Sequence, residues 1–136
     1  MSAAKVYQGG CHCGAVRLRC EVDLDVGTSR CNCSMCWKGR FWKAIVPATD
    51  FQLLAGDTSL VEYRFGAGSI RHRFCAHCGI KPFGEGELAE LGGRFYAVNV
   101  ACLEDVLLDD LLAAPMVHEN GRQDRWDQVP AEAALL

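Results

Sequence analysis

What the chain lacks narrows its function before any motif is read. It has no excess of positive charge: 14 Lys and Arg against 17 Asp and Glu leave a formal charge of −3. A broad basic surface for neutralising phosphates is therefore absent, which argues against a nucleic-acid partner. No apolar run approaches the ~20 residues that a membrane span needs, and the opening MSAAKVYQGG carries no hydrophobic signal core. Repeats, low-complexity tracts and linkers are missing too, so the 136 residues read as one domain, 1–136, large enough to bury its own core. Half of the residues are hydrophobic, which excludes a disordered chain. These features predict a soluble, cytoplasmic protein without a membrane partner. They assign no oligomeric state.

What the chain has in plenty is cysteine. Nine are present, and an odd number without an export signal argues against a disulfide framework, because reducing compartments keep thiols free. Metal binding is the leading alternative. Seven of the nine fall into tight clusters, Cys11/Cys13, Cys31/Cys33/Cys36 and Cys75/Cys78, whereas Cys20 and Cys102 stand alone.

The remaining pattern is that of strands. AVRLRCEV alternates with period two, placing Val16, Leu18, Cys20 and Val22 on one face and Arg17, Arg19 and Glu21 on the other. Cys20 thus reads as a small core residue. FWKAIVPA is an aromatic and β-branched run closed by Pro47. SLVEYRF and SIRHRFC flank a GAG turn as a hairpin whose second arm ends at Cys75. RFYAVNVACL predicts a further strand with Tyr96, Val98, Val100 and Cys102 on one face. LEDVLLDDLLAAP, acidic at its start and stopped by Pro115, is the one helix the pattern supports. Trp126 reads as an aromatic anchor for the polar tail. The class is mainly β.

A C-x-x-C turn followed by Gly, as in Cys75, Cys78 and Gly79, turns two sulfurs to one side. Cys11 and Cys13 offer a C-x-C pair, again followed by Gly. Two pairs from distant parts of the chain suit a closed tetrahedral zinc site, whereas Cys31, Cys33 and Cys36 supply three thiolates and stop. Three protein ligands with one open position is the arrangement of a catalytic zinc. Spacing alone leaves two matters open. His12, His72, His77, His118 or a lone cysteine could close the middle site, and Cys11/Cys13 could instead combine with the middle cluster.

GGCHCGAVRLRC, CNCSMCWKGR and FCAHCGIKPFG, with LGGRFYAVNVACLED and NGRQDRW downstream, resemble the family of glutathione-dependent formaldehyde-activating enzymes, which includes the centromere protein V group. The similarity runs from about Tyr7 to Trp126, and all seven clustered cysteines match in type, order and spacing. The resemblance implies an Mss4-like fold of antiparallel sheets around a structural zinc. It assigns Cys11, Cys13, Cys75 and Cys78 to that zinc and Cys31, Cys33 and Cys36 to a second, catalytic one. It implies a carbon-sulfur lyase of the S-(hydroxymethyl)glutathione synthase type, whose partners are glutathione or another small thiol and a small aldehyde.

The chemistry then expected is attack of a zinc-activated glutathione thiolate on formaldehyde, without redox change or organic cofactor. Glutathione carries carboxylates, and Lys38, Arg40 and Lys43 follow the middle cluster closely enough to meet them. Trp37, Phe41 and Trp42 supply either pocket wall or core. Two rival readings remain. A zinc-stabilised binding module without catalysis would be supported by a fourth protein ligand at the middle cluster. A rubredoxin-like or dithiol redox protein using Cys33/Cys36 and Cys75/Cys78 would leave Cys11, Cys13 and Cys31 unexplained.

Overall fold

Alternation in the sequence becomes two packed sheets. The computed structural model describes residues 4–136. The smaller sheet has the order β1–β2–β5, from β1 (Lys5–Gly10), β2 (Arg17–Val22) and β5 (Phe51–Ala55). The larger comprises β3 (Thr28–Cys31), β4 (Trp42–Pro47), β6 (Leu60–Tyr63), β7 (Arg71–Cys75), β8 (Phe83–Leu88), β9 (Gly93–Asn99) and β10 (Met116–Glu119), in the order β10–β3–β4–β9–β8–β7–β6. Neighbouring strands pair antiparallel except β10, which runs parallel to β3. The mainly β class expected from the sequence is therefore what forms, with a mixed rather than wholly antiparallel larger sheet. Among the described residues no helix is long and apolar enough to cross a membrane.

The main core lies between the sheets. Leu18, Cys20 and Val22 of β2 meet Ala44 and Val46 of β4, Phe83 of β8 and Val98 of β9, all buried. Phe51 of β5 stacks on Tyr96 of β9, ring centroids 3.9 Å apart, and tilts against Phe83 at 4.9 Å. Burying such rings dominates the apolar contribution to stability. The β6–β7 hairpin has the register Leu60↔Cys75, so it delivers Cys75 to the sheet margin as the sequence predicts.

The second face of the larger sheet positions the site. Strand β9 is covered on both sides: Tyr96 and Val98 face the main core, while Phe95 and Ala97 join Phe41 in a separate cluster against which Cys36 and Ile70 pack. Cross-strand partners share a face, so the register Ile45↔Ala97, Ala97↔Gly84, Gly84↔His72 lays these residues in one row on that side.

The structure corrects several expectations. The strand after Gly93 stops at Asn99, whose side chain accepts from the Ala101 amide and turns residues 100–102 into a 3₁₀ segment. Val100 and Cys102 are buried all the same. The leucine-rich helix shrinks to α2 (Leu108–Ala113), and it is preceded by a helix the sequence reading did not find, α1 (Ser34–Gly39). Its Cys33 caps the first turn by accepting from the Cys36 amide at 3.4 Å. The C-x-x-C spacing is thus taken up as one helical turn. Trp126 is no deep anchor: it is 52 % exposed, its indole N–H donating to Asp124 at 2.8 Å. The tail is held by polar contacts instead, described below.

Candidate metal centre

All nine cysteines are free thiols, and the seven clustered ones come together as two groups. Cys11, Cys13, Cys75 and Cys78 bring four sulfurs within 4.8 Å of one another, and Cys31, Cys33 and Cys36 bring three. The Cys11–Cys13 and Cys13–Cys75 sulfurs are each 3.6 Å apart. Four sulfurs tetrahedrally placed about 2.3 Å from a zinc ion are about 3.8 Å apart, so the donor set and its spacing fit that metal. Either group could hold an ion. The alternative partition, with Cys11/Cys13 joining the middle cluster, is not the arrangement seen.

The local backbone shapes each group. In the four-thiol cluster, the Val16 amide donates to Cys11 Sγ at 3.2 Å and the His77 amide to Cys75 Sγ at 3.4 Å. Gly79 takes a left-handed φ of 77° and its amide returns to the Cys75 carbonyl at 2.8 Å, closing the turn. Hydrogen bonds from Ile80 and Cys13 backbone groups pull the Cys78 thiol down to about 6. Cys11 and Cys75 are buried against Val16.

In the three-thiol cluster the amides of Cys33 and Cys36 donate to Cys31 Sγ and Cys33 Sγ. Hydrogen bonds from the Cys31 and Cys36 thiols, then from backbone amides, hold Cys33 as thiolate far below the ordinary thiol range. Cys36 is pushed up by those same two neighbours and by burial. The three sulfurs thus perturb one another, Cys33 downward and Cys31 and Cys36 upward, and a bound cation would displace the protons they hold. Among the described residues no fourth His, Cys, Asp or Glu joins this group. His12 and His77 are exposed loop residues. His118 is half-buried and His72 is buried elsewhere on the sheet. Cys20 and Cys102 are core residues, pushed up by burial to about 12 and about 11.

The tail closes over Cys31. Asn32, 2 % exposed, donates to Asn120 Oδ1 at 2.9 Å and to Glu132 Oε1 at 2.6 Å, and its own Oδ1 accepts from the Arg122 amide at 3.0 Å. Arg122 Nε also donates to the Asn32 carbonyl at 3.0 Å. Between them Gly121 approaches so closely that a Cβ there would lie 2.5 Å from Cys31 Sγ and 2.6 Å from the Trp126 ring. Beside this contact lies a cavity of about 490 Å³ lined by Asn32, Trp37, Asn120, Arg122 and Glu132 among others.

The cations expected near the cluster are placed differently from one another. Lys43 pairs with Glu119 at the β4–β10 end of the sheet. Arg40 reaches the Leu135 carbonyl at 2.6 Å and lies over Trp37, while Lys38 is exposed. Of the aromatic residues, Trp37 lines the cavity, Phe41 is core, and Trp42 packs on the core with its indole N–H on Thr28. Two features escaped the sequence reading. One is the Asn120–Gly121–Arg122 clasp, whose only signal is an N-G-R turn far from the cysteines. The other is Lys81, a charged residue set between Ile80 and Pro82 in an otherwise apolar stretch.

Fold and clusters together define a mainly β protein carrying thiol groups able to hold metal ions. Family comparison makes this specific: the family model described as glutathione-dependent formaldehyde-activating enzyme matches residues 6–119, and the chain belongs to that family. A similar solved structure is that of a Rhodobacter sphaeroides protein determined as a structural-genomics target. It is 33% identical, with a TM-score of 0.67, covering 81% of this chain and 99% of that one.

Proposed function

We propose that the protein joins a small thiol, with glutathione first among candidates, to formaldehyde or a related carbonyl compound, a carbon-sulfur lyase-type activity with two zinc ions per chain. The supporting observation is the three-thiol group with no fourth protein donor among the described residues. Cys11, Cys13, Cys75 and Cys78 would hold a structural ion, and Cys31, Cys33 and Cys36 a catalytic one. Zinc at the latter supplies a soft Lewis acid that favours the thiolate form of an incoming thiol at neutral pH.

In the reaction a sulfur–carbon bond forms, the carbonyl π bond opens, and the thiol proton ends on the former carbonyl oxygen. The chain's own residues orient and exclude. Gly121, with Trp126 beside it, closes on Cys31, leaving Cys33 and Cys36 as the half-exposed thiols. Trp37 and Arg122 line the adjoining cavity, where a guanidinium suits a peptide carboxylate. Lys38 of α1 and Arg40 just past its end are the further cations nearby. Lys43, already matched by Glu119, has less to offer a carboxylate.

The test is the exchange rate between free formaldehyde and S-hydroxymethylglutathione, followed by NMR against the spontaneous background. The zinc-loaded protein should raise it, and Cys33→Ala should return it to background. A wild-type rate equal to the spontaneous one would leave a zinc-stabilised binding module as the better reading.

A further inference from the structure

Lys81 carries a positive charge that the fold has part-buried without giving it a carboxylate. Its Nζ lies 2.6 Å from His72 Nδ1 and 3.9 Å from the centroid of the Phe41 ring. Its stem runs over Gly84, where a Cβ would meet Lys81 Cε at 3.7 Å. Its carbonyl is tied to Asn99 Nδ2 at 2.9 Å, so the backbone is fixed at the point of departure. Among the described residues no Asp or Glu pairs with it. His72 offers an imidazole nitrogen, not a charge: burial, then the charge of Lys81, lowers it to about 4, so it is neutral and accepts at Nδ1.

The side of the sheet settles what Lys81 faces. Gly84 and His72 share the row with Ala97, and Ala97 belongs to the cluster against which Cys36 packs. The ammonium meets His72 from β7 and the Phe41 ring, and Cys36 of α1 packs on the same Phe41 cluster; the charges that act on Lys81 are those of Cys36, Cys33 and Lys43, the last paired with Glu119 from β10. Lys43 acts on Cys36 as well, but it is ion-paired with Glu119. Lys81 is the cation beside the three-cysteine cluster that has no carboxylate partner among the described residues. Isolated ammonium groups are costly to bury, and folds retain them where an anion is present or arrives.

We propose that Lys81 is the counter-charge of the three-thiol site, stabilising the anionic sulfur of a thiol that binds there. The inference rests on the reading of that site as the place where a small thiol binds. Three thiolates and a zinc ion sum to −1, and an entering thiolate makes −2, which a low-dielectric site tolerates poorly without a neighbouring positive charge. Lys81 acts as a positioning and electrostatic residue. His72 holds its ammonium in place.

The experiment uses the cobalt-substituted protein and follows the metal's absorption as 2-mercaptoethanol, which has no carboxylate, or glutathione is titrated in. Lys81→Met should raise the apparent Kd for both thiols about tenfold at neutral pH and move the pH midpoint of binding upward, whereas Lys81→Arg should stay near wild type. If Lys81→Met fails to hold cobalt, Lys81→Gln carries the same comparison. Weakened glutathione binding with 2-mercaptoethanol unchanged would overturn the proposal, since Lys81 would then serve a carboxylate rather than the sulfur. Unchanged binding of both thiols would also overturn it. A wild-type spectrum indifferent to either thiol would overturn the underlying reading, and this inference with it.

Discussion

His72 shows how a single buried side chain sets a pH dependence. It is 6 % exposed, stacks with Phe65 at 5.5 Å and accepts at Nδ1 from Lys81. Burial is the first cause of its lowered pKa, about 4 against an ordinary 6.5. Because the folded value lies below the unfolded one, the unfolded chain takes up a proton that the folded chain refuses. Stability from this residue is complete above pH 6.5 and is lost as pH falls towards 4, by at most about 3 kcal/mol. His72→Gln keeps an acceptor for Lys81 but cannot titrate. Thermal melting of both proteins between pH 7.5 and 4.5 should show the wild type falling more steeply. The thiol clusters also take up protons in acid, but they do so in both proteins, so the difference isolates His72. Parallel curves would refute the assignment.

The two cysteine groups differ in the elements they join, and that difference predicts different mutational outcomes. Cys13 and Cys75 are 62 positions apart, so the four-thiol group ties the segment after β1 to the end of β7. Closing a loop of that length through a metal is folding free energy. The three-thiol group spans only Cys31 to Cys36, from the end of β3 into α1. Cys78→Ala should therefore cost several kcal/mol and lower the melting temperature sharply, whereas Cys33→Ala should melt near wild type and lose activity. Equal melting losses would contradict the division. The sequence made much of this legible. Alternation in 15–22 identified β2, and the spacing of the seven cysteines identified both groups. The β6–β7 hairpin was readable from its glycine turn. Helix α1 was not, because six residues give too little periodicity to detect. Nor was the clasp on Asn32, since its partners Asn120 and Arg122 lie 88 and 90 positions away and local patterns carry no information about such distances. Lys81 was hidden for the same reason: only the register of β7, β8 and β9 shows which face it crosses.

For the molecule as a whole, the proposed function predicts two metal sites of unequal lability. In the four-thiol group, Cys11 and Cys75 are buried and packed on Val16, Cys78 is half-buried and Cys13 exposed, and all four donors a metal would need come from the protein. A metal held there would join the segment after β1 to the end of β7, so its release would be coupled to loosening of that connection. The three-thiol group has half-exposed Cys33 and Cys36 and one position that the described protein residues do not fill. A chelator can enter there without disturbing the main core, which lies on the opposite face of β9. Loaded with two zinc ions, the protein should surrender about one equivalent early to a mild chelator, with far-UV circular dichroism and most of its thermal stability retained. The second equivalent should follow only under conditions that unfold the chain. Metal release measured against the dichroism signal along one chelator titration tests both statements. Loss of both ions in a single step, with unfolding, would show that the three-thiol group is as structural as the four-thiol one.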